Sequence, residues 1–322
     1  MHQVSSSLLL TDKIDSIHEE KHMLSNAIME CVPNFSEGRN KVIIEEIVGC
    51  FRGKEGVKLL DYSSDPDHNR TVVTAAGEPE TLAEAVVEAV GAAVRLIDLR
   101  KHSGGHPRIG AVDVIPFVPV RGCTAEQAIE LSKRVAREVW KRFGLPVYLY
   151  EKSASSPARA NLADVRRGQF EGLAEKMKLP EWEPDFGERK PHPTAGAAAC
   201  GARDFLCAFN VNLNTPELAV AQAVAKRVRQ SGGGLAHCKA IGVMLESRNL
   251  AQVSMNLTDL TVTGLRQAFE RVRTEALKYG AAPLSSEVIG LLPARAFADA
   301  AAHYLMIENY SPSAILESKL LE

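Results

Sequence analysis

The segments that resemble strands and helices follow one order twice along the chain. In the first half, aliphatic or β-branched runs predict strands, and runs with apolar residues at helical spacing predict helices. These segments cover residues 29–34, 41–51, 57–61, 71–76, 80–99 and 112–120, in the order β-α-β-β-α-β. This is the order of a split β-α-β, or ferredoxin-like, fold. A further helix at 124–144 and a strand at 147–150 follow in this half.

The second half of the chain repeats this order. Its predicted elements cover residues 206–213, 215–234, 240–245, 251–256, 263–279 and 287–292, followed by a short helix at 294–302. Two such sheets, each with its helices on one face, predict a protein of the α/β (α+β) class with a cleft between two lobes. Ligand sites favour clefts of this kind.

Residues that satisfy free backbone groups mark the ends of two predicted helices. Thr124 and Gln127 have the spacing of a capping box, and Gly144 ends the helix that they begin. In the second half, Thr215 followed by proline predicts a helix start, and the glycines at 232–234 predict its end.

We expect three regions along the chain. Residues 1–28 lack the apolar core of a signal peptide, so we expect a poorly ordered N-terminal extension there. Residues 29–204 and 205–322 are then the two lobes. Residues 180–201 hold four prolines and three glycines with little periodicity. They could form a plain linker, but their aromatic and charged side chains favour a loop that crosses the cleft.

The composition argues against several classes of partner. A formal net charge of −2 gives no electrostatic basis for binding nucleic acid or an acidic membrane. No stretch reaches the roughly 18 apolar residues of a membrane span. The six cysteines show no CxxC pair and no regular spacing, which is typical of reduced thiols in a cytoplasmic protein.

Residues 102–113, His-Ser-Gly-Gly-His-Pro-Arg-Ile-Gly-Ala-Val-Asp, carry the clearest chemical signal. The paired glycines let the backbone approach a ligand closely, and the loop leads into a buried strand, a position where enzymes often place catalytic side chains. An imidazole titrates near neutral pH, so His106 is the candidate general base and acid. The alternative is a surface loop whose histidines have no function.

A metal site in this loop is not expected. His102 and His106 are four residues apart, as in metal-binding helices, but the glycines and the proline between and beside them disfavour a helix. No cluster that would supply a third ligand is evident in the sequence.

Arginines near these residues suggest an anionic substrate, since a guanidinium matches the geometry of a carboxylate. A basic pocket could be formed by Arg39, Arg70, Arg108, Arg203 and Lys239. The alternative is that several of them pair with surface acids. Neither a GxSxG elbow nor a phosphate-binding loop is present. The residues therefore indicate a two-lobed α/β enzyme that uses acid/base chemistry on a small anionic substrate.

Several motifs closely resemble those of the glutamate formiminotransferase family, in order and with similar spacing between residues 29 and 305. They are Cys31-Val-Pro-Asn-Phe-Ser-Glu-Gly38, His106-Pro-Arg108 with Asp113, Val147-Tyr-Leu-Tyr150, Glu183-Pro-Asp-Phe-Gly187, Phe209-Asn-Val-Asn-Leu213 and Asn249-Leu-Ala-Gln-Val-Ser254. The resemblance implies two ferredoxin-like subdomains with a folate-binding groove between their sheets.

The resemblance also implies a reaction. The formimino group of N-formiminoglutamate passes to N5 of tetrahydrofolate, giving 5-formiminotetrahydrofolate and glutamate in histidine degradation. Tetrahydrofolate is then a co-substrate. In animals this domain is fused to a cyclodeaminase, so we expect a separate cyclodeaminase to act downstream of this chain. A homodimer is expected by analogy with the family.

The resemblance assigns roles to particular residues. The family's catalytic histidine, in its Gly-x-His-Pro-Arg motif, is His106 here. Its folate-contacting segment follows the Asp-Phe-Gly motif, although residues 188–192 depart from the animal sequences. That segment comprises Gly187, Glu188, Arg189, Lys190, Pro191, His192, Pro193, Thr194, Ala195 and Gly196. Two further assignments are hypotheses from the residues and not from the resemblance. Candidate donor-binding residues are Asn34, Arg70, Arg108 and Asp113, and candidate groups to orient His106 are Asp61, Asp65 and Asp113.

Two other functions remain open from the sequence. A relative with the same fold could use N-formylglutamate, because imine and carbonyl donors differ only by NH against O and one hydrogen-bond partner could switch the preference. A non-catalytic folate-binding or channelling protein is the other alternative, although the intact His106 motif argues against it.

Overall fold

The computed structural model describes residues 27–316. The expected N-terminal extension therefore lies outside the described residues, apart from its last two. The chain divides between Arg203 and Asp204 into two compact units. Among the described residues, no helix is long and apolar enough to cross a membrane.

The first unit is built on a mixed seven-stranded sheet. Its strands are β1 (Ile28–Cys31), β2 (Asn34–Phe35), β3 (Val57–Asp65), β4 (Arg70–Gly77), β5 (Val112–Arg121), β6 (Val147–Leu149) and β7 (Ala198–Ala202). Strands β1 and β2 both lie between β4 and β5, and β3 pairs with the other edge of β4, all antiparallel. This is the strand arrangement of a split β-α-β fold. Beyond β5, the strands β7 and β6 extend the sheet in parallel.

Helices cover both faces of this sheet. They are α1 (Lys41–Gly49), α2 (Pro79–Leu96), α3 (Ala125–Phe143), α4 (Pro157–Ala160), α5 (Leu162–Arg166) and α6 (Gln169–Lys176). The large core packs α1, α2 and α3 against one face. A smaller cluster packs residues of α5 and α6 against Val114 and Tyr148 of β5 and β6, whose side chains point the other way. The second cluster brings α5 and α6 to the start of β5.

The second unit is a four-stranded antiparallel sheet with helices. Its elements are β8 (Cys207–Leu213), α7 (Leu218–Val228), β9 (Cys238–Leu245), β10 (Leu250–Leu257), α8 (Leu265–Leu277), β11 (Pro283–Ile289) and α9 (Ala294–Tyr304). The spatial strand order is β11-β8-β10-β9. This is again the split β-α-β arrangement, so the fold class predicted from the repeated order is confirmed.

Several local predictions are confirmed and several are wrong. Thr124 and Gln127 form the capping box, and Gly144 ends α3 in the left-handed conformation. In the second unit, however, Thr215 does not cap the helix. Its hydroxyl accepts from the Glu217 amide in a turn (3.2 Å), so α7 begins at Leu218, and it ends before the glycines. The last strand spans 283–289 instead of 287–292.

The interpretation of residues 180–201 as a single loop is wrong at its C-terminal end. Residues 198–202 form β7, an inner and fully buried strand between β5 and β6. Its sequence, Ala-Ala-Cys-Gly-Ala, lacks the β-branched residues that mark strands. Small side chains are needed here, because a Cβ on Gly201 would lie 2.3 Å from the carbonyl oxygen of Tyr150.

Candidate active site

The loop at residues 102–111 lies directly on the turn between β3 and β4. His102 Nε2 donates a hydrogen bond to the carbonyl oxygen of Asn69 (2.9 Å). A Cβ on Gly104 would lie 2.3 Å from the carbonyl oxygen of His68, so only glycine allows this close approach. The loop and the turn therefore present their side chains side by side.

Arg108 and His102 hold this loop in place. Arg108 Nε donates to His102 Nδ1 (3.2 Å), and its Nη atoms contact both carboxylate oxygens of Glu171 at 2.6 and 2.8 Å. They also contact Gln169 and the His102 carbonyl oxygen. His102 is therefore neutral, with its proton on Nε2, and burial lowers its pKa. Arg108 ties the loop to α6, and its predicted contact with substrate stays a prediction.

His106 lies among cationic groups. Burial lowers the pKa of its imidazole far below the usual range, and the nearby Arg70 and Arg166 guanidinium groups lower it further. The His68 ring lies edge-on to it, with 6.5 Å between ring centroids. His106 is consequently neutral at neutral pH, which is the state that a general base requires.

Arg70 lies at the start of β4. Its Nε is buried and donates to no residue within the described part of the chain. Burial and the nearby Arg166 lower its pKa to about 10, so the group stays charged at neutral pH. A desolvated guanidinium without an acceptor favours an anion as its partner.

Asp113, the second residue of β5, connects the loop to α5. Its Oδ1 accepts from the Ile109 amide (3.0 Å), and its Oδ2 accepts from Nε (2.9 Å) and Nη2 of Arg166. Asp113 is 2% exposed. This buried ion pair fixes Arg166 close to His106, and it uses both oxygens of the carboxylate that was predicted to contact substrate.

Asp61 and Asp65, the other two carboxylates predicted to orient His106, both lie on β3. Asp65 Oδ2 lies 2.9 Å from His68 Nδ1, and its Oδ1 accepts from the amides of Asp67 and His68. Asp61 is exposed on β3. Asp65 thus orients His68, the neighbour of His106, so the role predicted for these carboxylates stays a prediction.

Asn34 is buried on β2, between β4 and β5. Its side-chain amide donates to the carbonyl oxygen of Val32 (2.8 Å), across the bend that separates β1 from β2. This hydrogen bond to Val32 is local, and the predicted contact of Asn34 with the donor stays a prediction.

The end of the 187–196 segment pairs with the His106 loop. Gly196 and His192 exchange backbone hydrogen bonds (2.7 and 3.0 Å), and His192 Nδ1 accepts from the Ala195 amide (3.0 Å). The Ala195 carbonyl oxygen then accepts from the amide of Ala111 (2.9 Å). The structure therefore brings together two regions that the sequence separates by about 80 residues.

Comparisons with known proteins show which family this chain is similar to. A model of the formiminotransferase domain's N-terminal subdomain matches residues 28–203, and a model of the formiminotransferase domain matches 208–320. A glutamate formimidoyltransferase of Streptococcus pyogenes serotype M1 is 50% identical over 295 residues, 91% of this chain and 99% of that protein. One of Thermoplasma acidophilum is 40% identical over 296 residues, 91% and 97% of the two chains.

The chain belongs to the formiminotransferase family. The resemblance inferred from the motifs is thereby confirmed. The formimidoyltransferase-cyclodeaminase of Sus scrofa is also similar, with 43% identity over 289 residues, which are 88% of this chain and 53% of that protein.

The formiminotransferase motif at 183–187 positions the start of the predicted folate segment. Asp185 Oδ2 accepts from the Leu149 amide (2.7 Å) and from Arg159 (2.8 Å) in a buried ion pair. Gly187 has φ +127, and a Cβ there would lie 2.9 Å from Pro146. The motif is therefore structural, and it fixes where the segment leaves the core.

The middle of the predicted folate segment is open to solvent. Residues 188–190 are exposed. Lys190 pairs with Glu188 (2.7 Å), and Arg189 pairs with Glu183. These charged side chains lie between the two anchored ends and are accessible to a ligand. Their predicted contact with folate stays a prediction.

The sequence alone did not predict two neighbours of His106, which are Arg166 and His68. Arg166 lies 53 residues from its partner Asp113, in a short helix without a recognisable pattern. The only sequence signal for Arg166 was that Asp113, when buried, requires a cation as its partner. His68 stood in the turn-rich stretch before Arg70, but nothing in the sequence placed it beside His106.

The described residues contain no group of three or more His, Cys, Asp or Glu that could hold a metal ion. Both nitrogens of His102 are engaged by protein groups. The expectation that the reaction needs no metal stays a prediction.

Proposed function

We propose that this protein is a glutamate formimidoyltransferase that moves the formimino group of N-formiminoglutamate to N5 of tetrahydrofolate in histidine degradation. The observation that carries this proposal is the His106 imidazole near the Arg70 guanidinium, whose buried Nε has no acceptor within residues 27–316. Family membership and the 50% identity to the streptococcal enzyme of that name support it.

His106 accepts and donates the proton that moves during the reaction. As N5 attacks the formimino carbon, the neutral imidazole accepts the proton that N5 loses. The same imidazole then gives a proton to the glutamate nitrogen as the C–N bond breaks. Atoms and charge balance over the two steps, and His106 ends in its starting form. Holding both reactants in line contributes further.

Arg70 binds a carboxylate of the donor. The negative charge of a dicarboxylate donor opposes the field that Arg70 and Arg166 exert on His106. Donor binding therefore raises the pKa of the imidazole from its low value toward the range where proton transfer is efficient. In this way the substrate adjusts the base that acts on it.

Tetrahydrofolate is the proposed co-substrate, and residues 187–196 are its proposed contact segment. The backbone pairing of Ala195 with Ala111 supports this assignment, because it fixes the segment next to the loop that carries His106. No step of the proposed reaction requires a metal.

The proposed setting is the cytoplasm, which the six free thiols of the chain support. We expect the product to be consumed by a cyclodeaminase, because the name of the longer Sus scrofa relative, formimidoyltransferase-cyclodeaminase, joins the two activities. A homodimer is the proposed assembly, by analogy with the family.

The kinetics of His106→Ala test this function. We expect kcat to fall by roughly 10²- to 10⁴-fold, while calorimetry shows that tetrahydrofolate still binds. His303→Ala, on the exposed face of α9, is the matched control and should behave like the unaltered protein. Near-normal turnover of His106→Ala would remove this histidine from the mechanism.

A further inference from the structure

Lys176, the last residue of α6, has no role in the proposed reaction, yet its ammonium group holds a stretch of backbone. Its Nζ donates hydrogen bonds to the carbonyl oxygens of Asp164 (2.6 Å), Val165 (2.7 Å) and Arg167 (3.2 Å). An ammonium group has three N–H donors, and these three acceptors use all of them. The side chain of Lys176 therefore fixes the end of α5.

The backbone that Lys176 holds carries Arg166. The three carbonyl groups flank this residue, which is the last of α5. Carbonyl groups at a helix C-terminus lack acceptors' partners within the helix, and a lysine there can donate to them. The buried carboxylate of Asp113 holds the guanidinium of Arg166, which lies near enough to His106 to lower the pKa of its imidazole. Lys176 and Asp113 thus hold the same residue, one through its backbone and one through its side chain.

Helix α6 connects α5 to the loop that carries His106. At the start of α6, the Phe170 amide donates to the carbonyl oxygen of Arg108 (2.9 Å), and Glu171 pairs with the Arg108 guanidinium (2.6 Å). At its end, Lys176 holds α5. One helix therefore fixes both the His106 loop and the backbone of the cation near it.

The surroundings of Lys176 make its charge sensitive to pH. The side chain is half-buried, and Nζ lies 3.7 Å from the centroid of the Trp182 ring. Burial and the neighbouring Arg167 lower the pKa of the ammonium group to about 8, although the Asp164 carboxylate acts in the opposite direction. Loss of the proton leaves two N–H donors for three carbonyl groups, and the nitrogen lone pair repels the third.

We propose that Lys176 is a positioning residue for the transfer reaction, which fixes Arg166 near His106 by holding the backbone at the end of α5. This inference rests on the proposed function, in which His106 moves the proton. Arg166 and Arg70 both act on the proton affinity of that imidazole. A shift of the α5 backbone changes this base without removing a predicted substrate-binding group, so it lowers kcat more than it raises KM.

Lys176→Met tests this role with little change in volume. Methionine removes the three donors but keeps an unbranched chain that can pack on Trp182. We expect kcat to fall roughly 10- to 100-fold, as for a misplaced reacting group, with KM for tetrahydrofolate within about twofold of its original value. Lys178→Met is the matched control, because Lys178 is an exposed lysine that pairs with Glu175 (2.6 Å). It should keep full activity.

The pH dependence of kcat distinguishes positioning by the charge from a purely structural role. In the unaltered protein, kcat should fall as the pH rises through about 8, since Lys176 then loses its proton. Lys176→Arg stays charged at that pH, so its kcat should exceed that of Lys176→Met and should not fall there. An unchanged kcat in Lys176→Met, or an equal loss of kcat in Lys176→Arg, overturns the proposal.

Fluorescence measures the same lysine without a substrate. The chain has two tryptophans, so Trp140→Phe leaves Trp182 as the single reporter. Its emission should change with a midpoint near pH 8, and adding Lys176→Met should abolish the change. Should Lys176→Met not fold, the midpoints of Trp182 emission and of kcat decide. Equal midpoints support the proposal, and different midpoints overturn it.

Failure of the proposed function has a different signature. The unaltered protein would then turn over neither donor, although the change in Trp182 emission is present. That result would overturn the reaction and the positioning role with it. An active protein whose Trp182 emission does not change with pH would overturn the positioning role alone.

Discussion

At the scale of single residues, four arginines of the first unit differ in their carboxylate partners. Arg108, Arg159 and Arg166 all have carboxylate partners at short range. Arg70 Nε has no acceptor among the residues described. Desolvating a charge without a partner destabilises a fold, and such groups are concentrated at binding and catalytic sites.

Arg70→Ala should therefore weaken binding of the donor without lowering the stability of the fold. We expect KM for N-formiminoglutamate to rise roughly 10- to 100-fold, the range for losing a hydrogen bond to a charged group. The melting temperature should not fall, because the Nε of Arg70 has no acceptor to lose among the described residues. Steady-state kinetics and thermal unfolding measure the two effects.

Arg108→Ala is the matched comparison for Arg70→Ala. It breaks the bidentate pair with Glu171 and should lower the melting temperature. An unchanged KM in Arg70→Ala would exclude Arg70 from the donor site.

The depressed pKa of His106 makes a prediction about stability and pH. The unfolded chain binds a proton on this residue below its ordinary pKa of 6.5, whereas the folded chain does not. Stability contributed by the neutral imidazole is therefore present above pH 6.5 and is lost as the pH falls below it. The slope is at most about 1.4 kcal/mol per pH unit for this one proton.

His106→Gln should reduce that slope. Urea unfolding of both proteins between pH 7.5 and pH 5 (at roughly half-unit steps) measures it. Equal slopes for the two proteins would mean that the pKa of His106 in the folded state is close to its ordinary value, so that burial and the neighbouring guanidinium groups do not depress it.

At the scale of elements, backbone pairing joins the two predicted functional regions. Residues 109–111 pair with 195–197, and a Cβ on Gly110 would lie 2.0 Å from the carbonyl oxygen of Ala197. The pairing sets the distance between the His106 loop and the 187–196 segment.

Gly110→Ala should push the segments 109–111 and 195–197 apart. We expect a loss of about 1–3 kcal/mol in stability, as for other overpacked sites, together with a lower kcat/KM. Gly172→Ala in α6 is the control, because its Cβ meets no atom within 4 Å. A fully active Gly110→Ala protein would show that the pairing does not position the site.

The ion pair of Asp113 and Arg166 connects two other elements, β5 and α5. Asp113→Asn keeps an oxygen for the Ile109 amide but removes the charge opposite Arg166. Breaking a buried pair in this way destabilises by about 3–5 kcal/mol. We also expect a lower kcat, since Arg166 loses its fixed place near His106. Denaturant unfolding and kinetics test both, and an unchanged kcat would limit the pair to a structural role.

The elements that the sequence predicted correctly depend on interactions between residues that are close together in the chain. The Thr124 capping box and the αL glycine at 144 were predicted because each acts within a few residues. Strand β7 was missed because its side chains are set by neighbours from distant parts of the chain. The short helices α4 to α6 carry too few turns for periodicity to show.

At the scale of the whole molecule, the repeated β-α-β-β-α-β order predicted two units of one architecture. The second unit has that order followed by one further helix, α9, while the first adds β6 and β7 to its sheet. The sequence could indicate His106 because a glycine-bent loop before a strand is a local pattern. It could not indicate Arg166 or His68 as neighbours of His106, because their positions depend on the packing of elements far apart in the chain.

The most direct test of the central claim is a paired assay of the unaltered protein with tetrahydrofolate. N-formiminoglutamate and N-formylglutamate are offered separately, and glutamate release is measured. We expect release from the formimino donor and a clear preference for it. Release from N-formylglutamate alone, or from neither donor although tetrahydrofolate binds, would contradict the proposed reaction.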